Sequence, residues 1–284
     1  MSTQISTTFS FSRLQMVMKR DFVENWKSYL NSALSIYGAF LISALMTFAT
    51  AKDVVESSLY FSYRLGFFIA TGVITYFILH ITAGHIMDVF QTKEKRISYL
   101  MLPATQTEKF VSRALQVTLG TLIMIIVTLF LAEITRLMLF PLLGAPEVLQ
   151  QFCLFDINDI FFKGAFLDGI EKIQDKNLMY LTVVNVFSGI MVTHSLFILG
   201  GTYFYKRPII KTFGLIILGI TAISFIAGYC GTHTFKSEID YTTLTIANTI
   251  FNLIITAACW VLSFFLFTRS QVTERVNFKF LRRK

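Results

Sequence analysis

The chain has 284 residues, of which 54% are hydrophobic, 15% aromatic and 15% charged, with 30 Phe and a mean hydropathy of +0.62. Such a composition excludes a soluble globular domain of this length and describes a chain that puts apolar side chains in lipid. The net charge of +8 is carried by short segments between apolar runs, which argues for topology at a membrane surface and against nucleic-acid binding.

In chain order, the first 29 residues read as an amphipathic helix. Phe11, Leu14, Met18, Phe22, Trp26 and Tyr29 recur at steps of three or four, with Arg13, Lys19, Arg20, Glu24 and Lys27 at other positions. This pattern predicts an interfacial helix on the inner membrane surface, where Trp26 and Tyr29 suit the head-group layer. Six apolar runs follow: Leu30 to Phe48, Leu65 to Met87, Leu115 to Leu143, Leu178 to Tyr205, Thr212 to Tyr229 and Leu244 to Phe267. Each is about long enough to cross ~30 Å of hydrocarbon as helix. Ala49, Thr50 and Ala51 imitate a signal-peptidase site. The polar stretch before the first run and the length of that run instead predict a retained span.

Six spans place both termini on one side. That side collects 18 of the 25 Lys and Arg, the other side holds six, and Arg136 lies inside a span. Basic segments stay in the cytoplasm, so the expectation is an inner-membrane protein with both termini inside. The fold class is therefore all-α and polytopic: one integral membrane domain over residues 1–284, with spans from 30 to 267 and a basic tail from 268 to 284. The long outer segment after the third span carries Phe162, Phe166, Ile170 and Ile173 at helical spacing, opposite Asp168, Glu171, Lys172 and Asp175. An outer amphipathic helix resting on the leaflet or capping an exit path is predicted there. Cys153 and Cys230 both fall outside and can pair in an oxidising compartment, whereas Cys259 falls in the last span.

The connector between the second and third spans, residues 92–113, is the most patterned segment. Thr105 with Glu108 three residues later forms a capping box, predicting a helix from there through Arg113 into the third span. Pro103 disfavours helix at Leu102, leaving Tyr99 to Leu102 as a compact apolar stretch beside a charged one. Those side chains either tuck beneath the helices or meet a partner. Within the spans, His80, His194, Glu133, Arg136, Asn248 and Asn252 are the polar candidates, since an unpartnered polar group in lipid is costly. Glu133 and Arg136, three apart, can neutralise one another, with a proton-coupled or gating role as the alternative. The two histidines fit helix-to-helix bonding or a metal or proton site. Asn248 and Asn252 share a face and can bond a neighbouring helix or line a path.

The run Arg96-Ile97-Ser98-Tyr99-Leu100-Met101-Leu102-Pro103-Ala104 followed by Glu108-Lys109-Phe110, with the interfacial helix and six-span layout, resembles membrane subunits of ATP-binding-cassette exporters of the type-2 class, in the form found in Bacteroidetes-like bacteria. The resemblance implies a coupling helix in this connector that docks on a separate ATPase, with the helix before span one beside it. Arg96, Tyr99, Leu100, Leu102, Pro103, Thr105 and Glu108 become the candidate docking residues. Unlike members of that class, which place re-entrant outer helices between spans five and six, this chain has its long outer segment after span three. No Gly-x-x-x-x-Gly-Lys-Ser/Thr run occurs, and none of the 15 glycines precedes Lys, so ATP and Mg are expected on the partner subunit. Neither metal-ligand spacing nor a nucleophile elbow is present, so no enzymatic activity or bound cofactor is expected in this chain.

The implied function is export of a hydrophobic or amphipathic substrate by two permease chains, as a homodimer or with a related subunit. An ATP-independent carrier and a non-transporting membrane anchor or assembly protein are the alternatives. The topology has a direct check: single cysteines at Lys95 and Lys211 should escape a membrane-impermeant maleimide in intact cells, and one at Lys163 should react. The opposite labelling pattern inverts the orientation.

Overall fold

A computed structural model describes residues 9–51, 57–90, 92–144, 176–204, 206–233 and 241–272. The described residues form an all-helical structure: α1 Phe11–Ala51, α2 Ser57–Gly84, a 3-10 turn Asp88–Phe90, α3 Lys93–Leu100, α4 Gln106–Leu115, a π-helical turn Gln116–Gly120, α5 Thr121–Leu142, α6 Lys176–Tyr203, α7 Pro208–His233 and α8 Tyr241–Val272. Among the described residues, five helices are long and apolar enough to cross a membrane, over Phe11–Ala49, Gly66–Phe90, Gln106–Leu142, Tyr180–Tyr203 and Thr242–Arg269. The fifth predicted run lies on α7, whose apolar portion with described side chains, Pro208–Ala222, is shorter than a span. The outer amphipathic segment, Cys153, the side chain of Cys230 and nearly all of the basic tail fall outside the described residues and side chains.

Two differences from the sequence reading have simple causes. The interfacial helix and the first span are one continuous helix of 41 residues. Nothing between Phe11 and Tyr37 breaks it, because no Pro or Gly occurs there. At 1.5 Å per residue α1 is roughly 60 Å long, about twice the hydrocarbon thickness. Of the stripe read as the membrane-bound face, Phe11, Phe22 and Trp26 are exposed, but Leu14 is buried together with Val17 and Asp21. The connector also holds a helix, α3, over Lys93–Leu100, where the residues alone give a compact apolar stretch from Tyr99 onward and the resemblance implies a coupling helix. Thr92 caps it by accepting a hydrogen bond from Lys95 N at 3.3 Å, and Pro103 takes effect only after the turn that ends it.

The chain divides into two compact units. One comprises Met1–Asp21, His80–Thr118 and Asn177–Lys284; the other comprises Phe22–Leu79 and Leu119–Lys176. In the first, an aromatic core forms where α4 meets α8: the Phe110 ring lies 5.4 Å from Phe264 and 5.3 Å from Phe267, and Phe90 lies 5.5 Å from Tyr99 and 5.6 Å from Phe267. Edge-on ring pairs at these separations add specificity beyond area burial. In the second unit, Ile36 and Phe40 pack with Ile125 and Ala132, flanked by a hydrogen bond at 2.9 Å between the Tyr37 and Thr135 hydroxyls. Gly144, with φ at 71°, ends α5 in the left-handed conformation that glycine adopts without strain.

The end of α2 and the end of α6 approach backbone to backbone. A Cβ at Gly201 would stand 2.6 Å from the Gly84 carbonyl oxygen, a fixed neighbour that cannot move aside cheaply. Gly201→Ala should therefore lower stability by roughly 1–3 kcal/mol, the usual cost of overpacking. Gly38→Ala, where nothing lies within 4 Å, should be neutral or stabilising. Denaturation in mixed micelles reads both; equal midpoints for the two variants would contradict the close approach.

Candidate functional site: a polar clamp on the elbow between the second and third apolar runs

The elbow from Thr92 to Arg113 is built by two short helices that hold each other. Tyr99, at the end of α3, is buried, and its hydroxyl donates to the Lys109 carbonyl oxygen at 2.9 Å. Lys109 Nζ returns the contact by donating to the Leu100 carbonyl oxygen at 3.1 Å. Burial pushes the Tyr99 phenol above its ordinary pKa, so it stays a neutral donor. Leu102 packs partly buried on the aromatic core.

The capping box at the start of α4 is present. Thr105 Oγ1 accepts from Glu108 N at 3.2 Å, and Glu108 Oε2 accepts from Thr105 N at 2.8 Å. Glu108 does more than cap. Its side chain is fully buried, and Oε1 accepts from Ser10 N at 2.7 Å and from Arg13 Nη2 at 2.8 Å, with Arg13 Nε at 3.2 Å. One carboxylate thus closes the first turn of α4, the residue ahead of α1 and a guanidinium from the first turn of α1. Desolvation on its own would raise the Glu108 pKa. The Arg13 hydrogen bonds, the Thr105 and Ser10 amides and the Arg13 charge outweigh it and hold the group at about 2. Glu108 lies two turns ahead of the apolar run that starts at Leu115, so it belongs to the polar elbow.

A second set of polar contacts runs parallel to the first. Arg20 donates to the carbonyl oxygen of Ser98 at 3.3 Å and also to its hydroxyl. Buried Asp21 accepts from Gln116 Nε2 at 3.2 Å and faces Arg113 Nη1 at 3.9 Å. Arg113 in turn donates to the Ile86 and His85 carbonyl oxygens at 3.2 and 3.3 Å. These carbonyls lie just past α2, where helix geometry leaves acceptors without internal partners. Gln116 opens the π-helical turn, whose wider pitch re-aims side chains between α4 and α5. Arg96 donates to the Phe90 carbonyl oxygen at 3.4 Å.

Of the seven candidate docking residues, the structure turns Tyr99, Glu108 and much of Leu102 inward, where they shape the elbow. Thr105 is spent on the cap. The exposed apolar side chains here are Ile97, Leu100 and Met101, with Met101 80% exposed, beside exposed Pro103, Glu94 and Lys95. Arg13, Arg20, Asp21, Arg113 and Gln116 were not singled out from sequence. The seven-residue spacing of Arg13 to Arg20 and of Leu14 to Asp21, which places each pair on one face of α1, is the signal that would have found the first three.

Most of the intramembrane candidates find partners nearby. Glu133 and Arg136 form a buried forked pair at 2.7 and 2.8 Å, with Arg136 5.0 Å from the centre of the Phe140 ring. His80 Nε2 lies 2.8 Å from Thr193 Oγ1, and its ring centre is 6.1 Å from that of His194, whose own buried Nε2 has no hydrogen-bond partner among the described residues. Asn248 and Asn252 both bond α6, through Asn185 and Ser188. Among the described residues no three of His, Cys, Asp or Glu gather in a metal-binding group.

No family model matches the chain, and no curated protein or solved structure matches it. Loss of the Glu108 carboxylate removes a cap worth about 1 kcal/mol and charge-assisted hydrogen bonds worth about 1.5–3 kcal/mol, so Glu108→Ala should destabilise by roughly 2–4 kcal/mol. Because the folded pKa lies below the unfolded value, this stabilisation is complete above about pH 4.3 and fades as pH falls toward 2. Unfolding midpoints measured from pH 6 to pH 2 should show that acid-dependent loss in the wild type and a smaller one in Glu108→Gln.

Proposed function

We propose that this chain is the permease subunit of an ATP-driven exporter, crossing the inner membrane six times with both termini cytoplasmic, and that a separate ATPase docks on the elbow. The observation that carries this reading is the elbow itself. Two short helices between the second and third apolar runs are clasped to each other and clamped by Glu108 to the start of α1, while Ile97, Leu100 and Met101 stay exposed. An exposed apolar cluster on a rigid polar support is what a docked subunit needs in order to push or pull on the attached helices.

The work of each group follows from its position. Ile97, Leu100 and Met101 supply the contact surface. Tyr99, Lys109 and Glu108 keep it from yielding under load. Nucleotide-driven closure of two ATPase subunits would shift the elbows of two permease chains and bias the attached helices between inward and outward openings. The cargo is hydrophobic or amphipathic, in keeping with the apolar surfaces of the helices. ATP and Mg belong to the partner.

Leu100→Asp combined with Met101→Asp tests the docking surface without touching the clamp. Affinity purification from the native membrane should recover an ATP-binding-cassette ATPase with the wild type and with Tyr99→Phe, and at least about tenfold less with the double variant, as loss of a central apolar contact cluster predicts. A well-folded wild type that brings down no ATPase contradicts the proposal and favours an ion-driven carrier or a membrane anchor.

A further inference from the structure

The seam between α6 and α8 holds hydrogen-bonding capacity that no described residue uses. Asn185 Oδ1 accepts from Asn248 Nδ2 at 2.9 Å and lies 3.2 Å from Thr249 Oγ1, whose one proton also faces the Thr245 carbonyl oxygen at 2.8 Å. One stagger along, Asn252 Nδ2 donates to Ser188 Oγ at 3.0 Å. A carboxamide carries two N–H donors and a carbonyl with two lone pairs. Among the described residues, therefore, both N–H groups of Asn185 and the carbonyl and second N–H of Asn248 have no partner.

These amides lie at the surface. Asn248 is exposed and Asn185 half-buried, flanked by Val184 on α6 and Phe251 on α8, each more than half exposed. Both asparagines fall inside the apolar helices Tyr180–Tyr203 and Thr242–Arg269. Hydrocarbon can neither donate to nor accept from them, and amides in such a position draw helices together. One turn from Asn185 on the same face, Gly189 has nothing within 4 Å of where a side chain would stand, so a neighbouring helix can come close.

We propose that this seam binds a second copy of the chain. The partner must offer donors and acceptors together at the same depth, and a carboxamide surface is complementary to itself. A two-fold axis beside the seam sets the Asn185 amide of one protomer against the Asn248 amide of the other and repeats the contact in reverse, giving a closed dimer. The inference deepens the pairing of permease chains proposed above by locating the contact. It stands apart from docking, because ATPase co-purification reads the elbow alone.

The test uses the full chain with Cys153, Cys230 and Cys259 replaced by Ser, reconstituted in phosphatidylcholine and phosphatidylglycerol vesicles at low protein density. Asn248→Cys in this background should cross-link to its own copy on oxidation, and Leu218→Cys, on the exposed face of α7, should not. Fluorophore counting should find dimers of the wild type, and Asn185→Leu with Asn248→Leu should weaken the dimer at least about tenfold, the loss expected from removing two or more bonds of ~0.6–1 kcal/mol. A monomeric wild type, equal cross-linking at Leu218→Cys, or unchanged dimerisation of the double variant overturns the proposal.

Discussion

Hydrocarbon neither donates nor accepts hydrogen bonds, and the rest of this structure follows from that constraint. It obliges the backbone to be helical wherever lipid surrounds it. It also makes a partner within reach valuable to any polar side chain in a span. Glu133 finds Arg136 one turn away, His80 finds Thr193 on another helix, and the asparagines of α8 find α6. Serines and threonines solve the problem more locally, as when Thr128 and Thr256 return their hydroxyl protons to backbone carbonyls in the preceding turn.

Outside the apolar runs the constraint lifts, and polarity is concentrated to a different end. The elbow gathers Arg13, Arg20, Asp21, Glu108 and Arg113 within one compact unit, and three of these five are almost wholly buried. Buried charge is a weak source of net stability, because desolvation offsets most of the attraction. Its contribution here is geometric. A carboxylate that accepts from three separate backbone or side-chain groups fixes their mutual positions more narrowly than apolar packing of the same volume would. The exposed side chains of α3 are thus presented on a cross-braced support, as the proposed docking of a separate subunit would require.

Much of this was legible in the sequence. Apolar runs of span length, separated by short basic segments, specify a polytopic helical protein because hydropathy and helix length answer directly to bilayer thickness. The capping box was legible because Thr105 and Glu108 are a local pair. What escaped was whatever depends on contacts distant in sequence. The apolar periodicity of α1 was visible, but which face would bury was not, since the deciding partners, Ser98, Glu108 and Gln116, lie about 80 to 100 residues away. For the same reason the sequence left open whether Tyr99 tucks beneath the helices or meets a partner, and it carried no sign that Glu108 reaches beyond its cap to Ser10 and Arg13. Met101, at the turn between those helices, is the most exposed side chain of the elbow and drew no notice in the sequence.

Site-specific photo-cross-linking at Met101 tests the central claim most directly. A benzophenone side chain placed there, irradiated in native membranes without detergent, reports what touches the tip of the elbow. The account predicts a covalent adduct to an ATP-binding-cassette ATPase, formed at Met101 and absent when the same group replaces Leu218. Adducts only to lipid or to this chain itself would show that the tip of the elbow meets no such subunit and would contradict the account.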